Sequence, residues 1–162
     1  MNVKLVSQFV LLLFAANGAP LVAKIALGDF LARPIDGGLT LPDDQALLGS
    51  SKTIRGVVAS VLFTAALAPL VGISVAAGAL IAATAMAGDL VSSFIKRRMR
   101  LRSSSAALGL DQIPESLLPA LASQHVLGLG LVEIVFITMS FLICELVLSP
   151  LFFMAGIRDR RS

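Results

Sequence analysis

The stretch from Val57 to Gly88, VVASVLFTAALAPLVGISVAAGALIAATAMAG, decides the fold, because it carries no charged side chain and is apolar almost throughout. As one helix rising about 1.5 Å per residue it would be about 48 Å long, well beyond the roughly 30 Å hydrocarbon core of a bilayer. Pro69, Gly72 and Ser74 interrupt it near the middle, so the stretch reads as a helical hairpin that turns there. The whole chain has the same character. Of its 162 residues 57% are hydrophobic and only 14% charged, with a mean hydropathy of +0.93, against about a quarter charged in a soluble domain. Too little polar surface remains to enclose a water-soluble core of this size. Disorder, a collagen repeat and a disulfide scaffold are excluded, since there is no low-complexity tract and one cysteine, Cys144.

Outward from the hairpin, three further spans follow from the same length rule. Leu5 to Ala23 is uncharged and apolar; Asn17-Gly18-Ala19-Pro20 within it predicts a kink or break. A cleaved signal peptide is the weaker reading, because the n-region has one lysine and the apolar run outlasts an ordinary h-region. Residues 113–157 are again too long for one crossing, and Gly128-Leu129-Gly130 with Glu133 marks a second turn. The expectation is an all-α integral membrane protein: one membrane domain over 1–162, with five transmembrane helices at about 3–27, 55–73, 75–98, 113–131 and 133–155, and loops 28–54 and 99–112 forming the active site.

Charge supports that count. Arg33, Lys52 and Arg55 lie in the segment 28–56, Lys96, Arg97, Arg98, Arg100 and Arg102 in the segment 96–112, and Arg158, Arg160 and Arg161 in the tail, while the hairpin turns carry no Lys or Arg. Five spans bring all three basic segments to one side, which the positive-inside rule makes cytoplasmic. The expectation is therefore a cytoplasmic (inner) membrane protein with its N-terminus outside and C-terminus inside. Nucleic acid is not an expected partner despite the net charge of +3, since no basic stretch is interleaved with aromatics and the chain lacks Trp and Tyr. Oligomeric state is not legible.

Most isolated polar residues have ordinary readings: Lys24 as a snorkelling anchor, Glu133 and Glu145 as turn caps or bundle-interior groups, His125 as a hydrogen-bonding side chain, Cys144 as packing. Asp89 differs. It lies near the cytoplasmic edge of the third span, where an ionised carboxylate is costly without a partner. At 100° per residue Asp89, Ser92, Ser93, Lys96 and Arg100 share one helix face. Just before the second span, residues 49–56 gather small residues, hydroxyls and the cations Lys52 and Arg55, a composition suited to phosphate oxygens. It is not a P-loop, which would need glycines where Ser51 and Ala46 stand. Asp111 and Glu115 open the fourth span on the same predicted side. Carboxylates from two helices with cations between them predict a magnesium and phosphate site, Ser92 and Ser93 included.

Asn17-Gly18-Ala19-Pro20, Asp36-Gly37-Gly38, the segment Leu48 to Gly56, the segment Gly88 to Arg98 and Leu110-Asp111-Gln112 resemble, in order, the CDP-archaeol synthase family, related to the phosphatidate cytidylyltransferases. The resemblance covers nearly the whole chain. It implies a five-span CTP-dependent cytidylyltransferase that moves CMP onto a membrane lipid phosphate, gives a CDP-activated lipid and pyrophosphate, and uses Mg²⁺. By matching motifs Asp89 and Asp111 would bind the metal, Ser51, Lys52, Thr53 and Arg55 would hold nucleotide phosphates, and Lys96 and Arg97 would steady the substrates. Two departures stand out. The second acid of the archaeal Asp-Gln-x-Asp element falls on Pro114, with Glu115 beside it, and Ser103-Ser104-Ser105-Ala106-Ala107 replaces the Gly-His-Gly-Gly segment of the phosphatidate enzymes. The acceptor's chain type and the choice between CTP and dCTP stay open.

The chemistry is consistent with the composition. A phosphomonoester nucleophile, with a second pKa of about 6, is mostly ionised at neutral pH, so no general base is required. The chain has one His and no nucleophile dyad. The alternatives are a small polytopic transporter or channel, to which intramembrane acids also point, and a catalytically inactive scaffold of the same fold.

Overall fold

The computed structural model describes residues 1–101 and 109–154, with side chains as far as residue 148. Arg102, the serine-rich segment 103–107 and the basic tail with Arg158, Arg160 and Arg161 lie outside the described residues. The helices in chain order are α1 (Val3–Leu27), α2 (Ile54–Leu67, continued by a 3-10 turn over Ala68–Val71), α3 (Val75–Arg98), α4 (Gln112–Ala122), α5 (Gln124–Leu127) and α6 (Leu131–Met154). Among the described residues there is no named strand, only isolated bridges pairing Pro34 with Thr53 and Thr40 with Ala46. Four stretches are long and apolar enough to cross a membrane, Val3–Leu27, Ile54–Val71, Val75–Arg98 and Leu131–Leu148. The protein is an all-α integral membrane protein.

Local chemistry sets most boundaries. The side chains of Asn2, Thr53 and Ser74 accept the N–H groups of Leu5, Gly56 and Ala77 at 3.1, 3.2 and 3.2 Å, each capping a long helix. Gly72 is left-handed (φ 82°) and turns the first hairpin; Gly128 (φ 65°) ends α5 and opens the second. Lys96, Arg97 and Arg98 occupy the last turn of α3, where cations complement the helix dipole.

Three expectations need correction. Of the kink or break expected at Asn17-Gly18-Ala19-Pro20, the break is absent, since α1 continues through the segment as one helix with Pro20 inside it. The stripe predicted on α3 stops short of Arg100, because the helix ends at Arg98 and Arg100 takes a left-handed backbone (φ 59°). The fourth span, expected as one helix over 113–131, is two pieces. α4 has 11 residues, about 17 Å, too short to cross alone. Pro119 has no N–H to donate back to Glu115, and at Ser123 the chain bends before α5 resumes. The pair still carries the chain across, because Glu133 at the start of α6 accepts the backbone N–H of Asn2 at 3.0 Å, beside the start of α1.

In a bilayer, lipid tails are as apolar as leucine, so close packing and small residues hold helices together. Phe9, Leu12, Leu13 and Ala16 of α1 meet Ile81, Ala82 and Ala85 of α3 and Ile137 and Phe141 of α6 in one core. A Cβ at Gly78 would fall 2.4 Å from the Ala68 side chain, so only glycine allows α3 this close to the end of α2. Ser60 Oγ donates to the Ala16 carbonyl at 2.8 Å between α2 and α1. Outward faces carry exposed apolar side chains such as Ile25, Leu62, Val91 and Phe136, the pattern of a lipid-facing surface.

Candidate functional site

The site begins in the loop between α1 and α2. Asp36 is buried there; its Oδ1 accepts the Gly38 N–H at 2.9 Å, and its Oδ2 accepts those of Leu48 and Gly49 at 2.9 and 3.3 Å. Burial alone would raise its pKa, but these three donors outweigh that and hold the carboxyl below its ordinary range. The loop closes against itself through Ile35 N–H to the Lys52 carbonyl at 2.9 Å and Ile54 N–H to the Arg33 carbonyl at 3.1 Å. Lys52 is thereby fixed at the foot of α2 and reaches α3.

Its Nζ lies 2.5 and 2.6 Å from the two carboxylate oxygens of Asp89. Seven residues along the same helix, about 10 Å, Lys96 Nζ pairs with Asp111 at 2.8 and 3.0 Å. Beside Asp89, on the side away from Lys96, α3 meets α4 closely: a Cβ at Gly88 would lie 2.3 Å from the Pro114 carbonyl oxygen and 2.8 Å from the Glu115 nitrogen. That crossing puts the buried Glu115 in hydrogen-bond contact with Asp89, within the fields of Glu145 and Lys52. Arg98 closes the rim, with its guanidinium 2.6 Å from Asp43, 2.7 Å from the Ala46 carbonyl and 5.3 Å from the Phe94 ring centre. Burial favours a higher pKa for Asp43, but the Gln45 N–H and Arg98 reverse this and lower it.

The sequence-predicted residues divide by what they do locally. Lys52, Asp89, Lys96 and Asp111 gather at one end of the bundle as two ion pairs. Arg97 is buried at the same end of α3. Ser92 Oγ donates to the Asp89 carbonyl at 3.0 Å, and Ser93, also buried, has no hydrogen-bond partner for its Oγ. Thr53 caps α2. Arg55 turns inward and donates to the carbonyls of Gly28 and Phe30, tying the exit of α1 to the foot of α2. Ser51 is exposed on the loop. Asp89 and Asp111 occupy separate pairs, and among the described residues no three Asp, Glu, His or Cys side chains form a metal-holding group. The acid in contact with Asp89 is Glu115. Sequence reasoning gave Asp36 no role of its own, although Asp-Gly-Gly is the signature of a side chain bonding its own turn.

Comparison with known proteins fixes the family. The profile described as CarS-like, CDP-archaeol synthase, matches residues 65–158, more than half of the chain. The chain belongs to the CDP-archaeol synthase family. Relatives of that name include those of Hyperthermus butylicus, 36% identical over 105 residues (61% of this chain, 60% of the relative), and Aeropyrum pernix, 38% identical over 121 residues (70% and 64%). The Thermococcus kodakarensis protein is 37% identical over 120 residues (65% and 64%). The matched part thus spans just under two thirds of the length of these relatives. A solved structure described as an intramembrane enzyme for archaeal membrane lipids biosynthesis superposes with a TM-score of 0.70 at 28% identity, covering 85% of this chain and 90% of that one. In this member of the CDP-archaeol synthase family, the segment matched by the profile contains Asp89, Lys96, Asp111 and Glu115, and Asp36 and Lys52 precede it.

Proposed function

We propose that the protein is a CTP-dependent cytidylyltransferase that moves CMP onto a membrane lipid phosphate. A phosphate oxygen of the lipid attacks the α-phosphorus of CTP, the bond to the β-phosphate breaks, and pyrophosphate leaves with that electron pair. The observation that carries the reading is the pair of salt bridges Lys52–Asp89 and Lys96–Asp111 at one end of apolar helices, in a chain of this family. A lipid chain can stay between helices there while a nucleotide arrives from water.

The ionised nucleophile needs no base; the obstacle is repulsion between two anions. Lys52, Lys96 and Arg97 answer it by binding phosphate oxygens, the lysines exchanging carboxylate partners for substrate. Mg²⁺ suits the donors: Asp89 and Asp111 offer hard carboxylate oxygens, each now balanced by a lysine that a doubly charged ion can replace. Bound there, it would supply neutralisation of the triphosphate and of the departing pyrophosphate. Ser92 and Ser93 add hydroxyls on the Asp89 side of α3. Thr53 and Arg55 act one step back, holding the Ser51-Lys52 segment in place. The basic loops point to the cytoplasmic face of the membrane, with the N-terminus outside and the C-terminus inside. Among the described residues the Lys–Asp pairs gather at one end and the pair of the N-terminus with Glu133 lies at the other, not along a path across, which favours the enzyme over a channel.

The test is incubation of the purified protein and Mg²⁺ with CTP or dCTP and a panel of ester- and ether-linked lipid phosphates, archaeol-based ones included because the relatives carry that name. Mass spectrometry should find a nucleotide-linked lipid, with pyrophosphate released only when acceptor is present. No such lipid with any acceptor would overturn the reading. Asp89→Asn should lower turnover at least about a hundredfold, the scale of losing one electrostatic stabiliser; normal turnover would remove Asp89 from the mechanism.

A further inference from the structure

We infer that Glu115 is a metal ligand of this site, a second carboxylate that binds the divalent cation together with Asp89. The cation's role rests on the cytidylyltransferase reading, but the ligand role is argued from the geometry of the α3–α4 crossing.

Glu115 stands in the first turn of α4 and is 7% exposed. An acid in a first turn also stabilises a helix through its dipole, yet it does so from solvent, and burying a carboxylate is costly unless something compensates. The crossing at Gly88 brings it in instead. With no Cβ at that position the Pro114 carbonyl and the Glu115 nitrogen pack directly on α3, and the Glu115 carboxyl reaches that of Asp89.

Two carboxyl groups in contact need a proton or a cation between them. Around Glu115 stand the acids Asp89 and Glu145 and the cation Lys52, and Lys52 already engages both oxygens of Asp89. A divalent cation between Asp89 and Glu115 would meet both carboxyl groups. An independent observation supports a ligand here. Ser93, one helical turn from Asp89 on the same face of α3, is 2% exposed, and its Oγ has no hydrogen-bond partner. A buried hydroxyl left this way suits a metal-bound water or a phosphate oxygen.

The test uses Mn²⁺ as probe, titrated by electron paramagnetic resonance into the full-length protein in nanodiscs without nucleotide, with Mg²⁺ as competitor. The wild type should bind Mn²⁺ and release it to Mg²⁺. Glu115→Gln should weaken Mn²⁺ binding at least about tenfold, the lower end of what losing even a supporting group at a metal site costs. Glu133→Gln, at the opposite end of the bundle, should bind as the wild type does. Thermal melts check that each variant folds. If Glu115→Gln does not, Glu115→Asp replaces it, keeping the charge and shortening the arm; a weakened affinity supports the inference and an unchanged one overturns it. Wild-type affinity in folded Glu115→Gln, or no competable Mn²⁺ site in the wild type, also overturns it. A wild type that makes CDP-lipid while Glu115→Gln keeps its Mn²⁺ affinity loses the ligand role and retains the reaction. A Mn²⁺ site lost in Glu115→Gln, in a protein that makes no CDP-lipid, retains the ligand role and loses the reaction.

Discussion

The two oxygens of Asp36 fold the loop that carries Lys52, by accepting N–H groups from Gly38, Leu48 and Gly49. An amide has one acceptor oxygen and would turn its NH₂ toward a donor, so Asp36→Asn should leave at least one buried N–H unmet and cost about 1–3 kcal/mol. The pH dependence has a definite sign. The folded carboxyl lies below its ordinary value of 3.8, so its contribution is complete above that value and is lost as pH falls through the lower folded one. Melting curves of wild type and Asp36→Asn in detergent should therefore differ by a constant gap from pH 7 to about pH 5, narrowing below about pH 4; a gap that does not narrow would remove the carboxylate's charge from the explanation. At this scale the sequence was partly legible. Helical spacing put Asp89, Ser92, Ser93 and Lys96 on one face, and composition singled out residues 49–56. Neither says which cation meets which acid, because that depends on how α3 crosses α4 and how the loop folds back. Thr53 and Arg55 show the limit: hydroxyl and guanidinium groups suit phosphate, but here they cap a helix and bind the Gly28 and Phe30 carbonyls.

Among the elements, the α3–α4 crossing is the one on which the site depends. Gly88 lies where any Cβ would strike the Pro114 backbone at 2.3 Å, and backbone cannot move aside as a flexible side chain does. Gly88→Ala should therefore destabilise the protein by about 1–3 kcal/mol, as overpacking does, and lower turnover by separating Asp89 from Glu115. Gly18→Ala is the control, with nothing within 4 Å of the added carbon and a helix-interior gain of up to about 1 kcal/mol. Equal melting temperatures and turnover in the Gly88 variant and wild type would refute the tight crossing. The hairpins were legible because Pro69, Gly72 and Ser74, and then Gly128 and Gly130, punctuate apolar runs too long for one span. The break in the fourth span was not: hydropathy measures apolar length, and 113–131 has enough. Its interruption at Ser123 depends on packing, with Ser116, Pro119, Ala120 and Ser123 all buried against neighbouring helices, which lets the bend occur away from lipid.

For the whole molecule, what matters is which end faces which compartment. The α1–α2 loop, the end of α3 and the start of α4 share one end with Lys52, Asp89, Lys96 and Asp111; the two hairpin turns and the N-terminus share the other, joined by Asn2 and Glu133. Alternating hydropathy and clustered charge were enough to read that division, since each crossing must reverse direction. The compartment follows only from the bias of Lys and Arg, a rule of insertion and not of packing. In a Cys144→Ala background, Leu70→Cys tests the hairpin end, where Leu70 is 81% exposed, and Pro42→Cys tests the exposed α1–α2 loop. A membrane-impermeant maleimide added to intact cells should label Leu70→Cys at once and Pro42→Cys only after the membrane is opened. The reverse pattern would set Lys52 and Asp89 on the outer surface, away from cytoplasmic CTP, and the proposed reaction would then have no nucleotide to use.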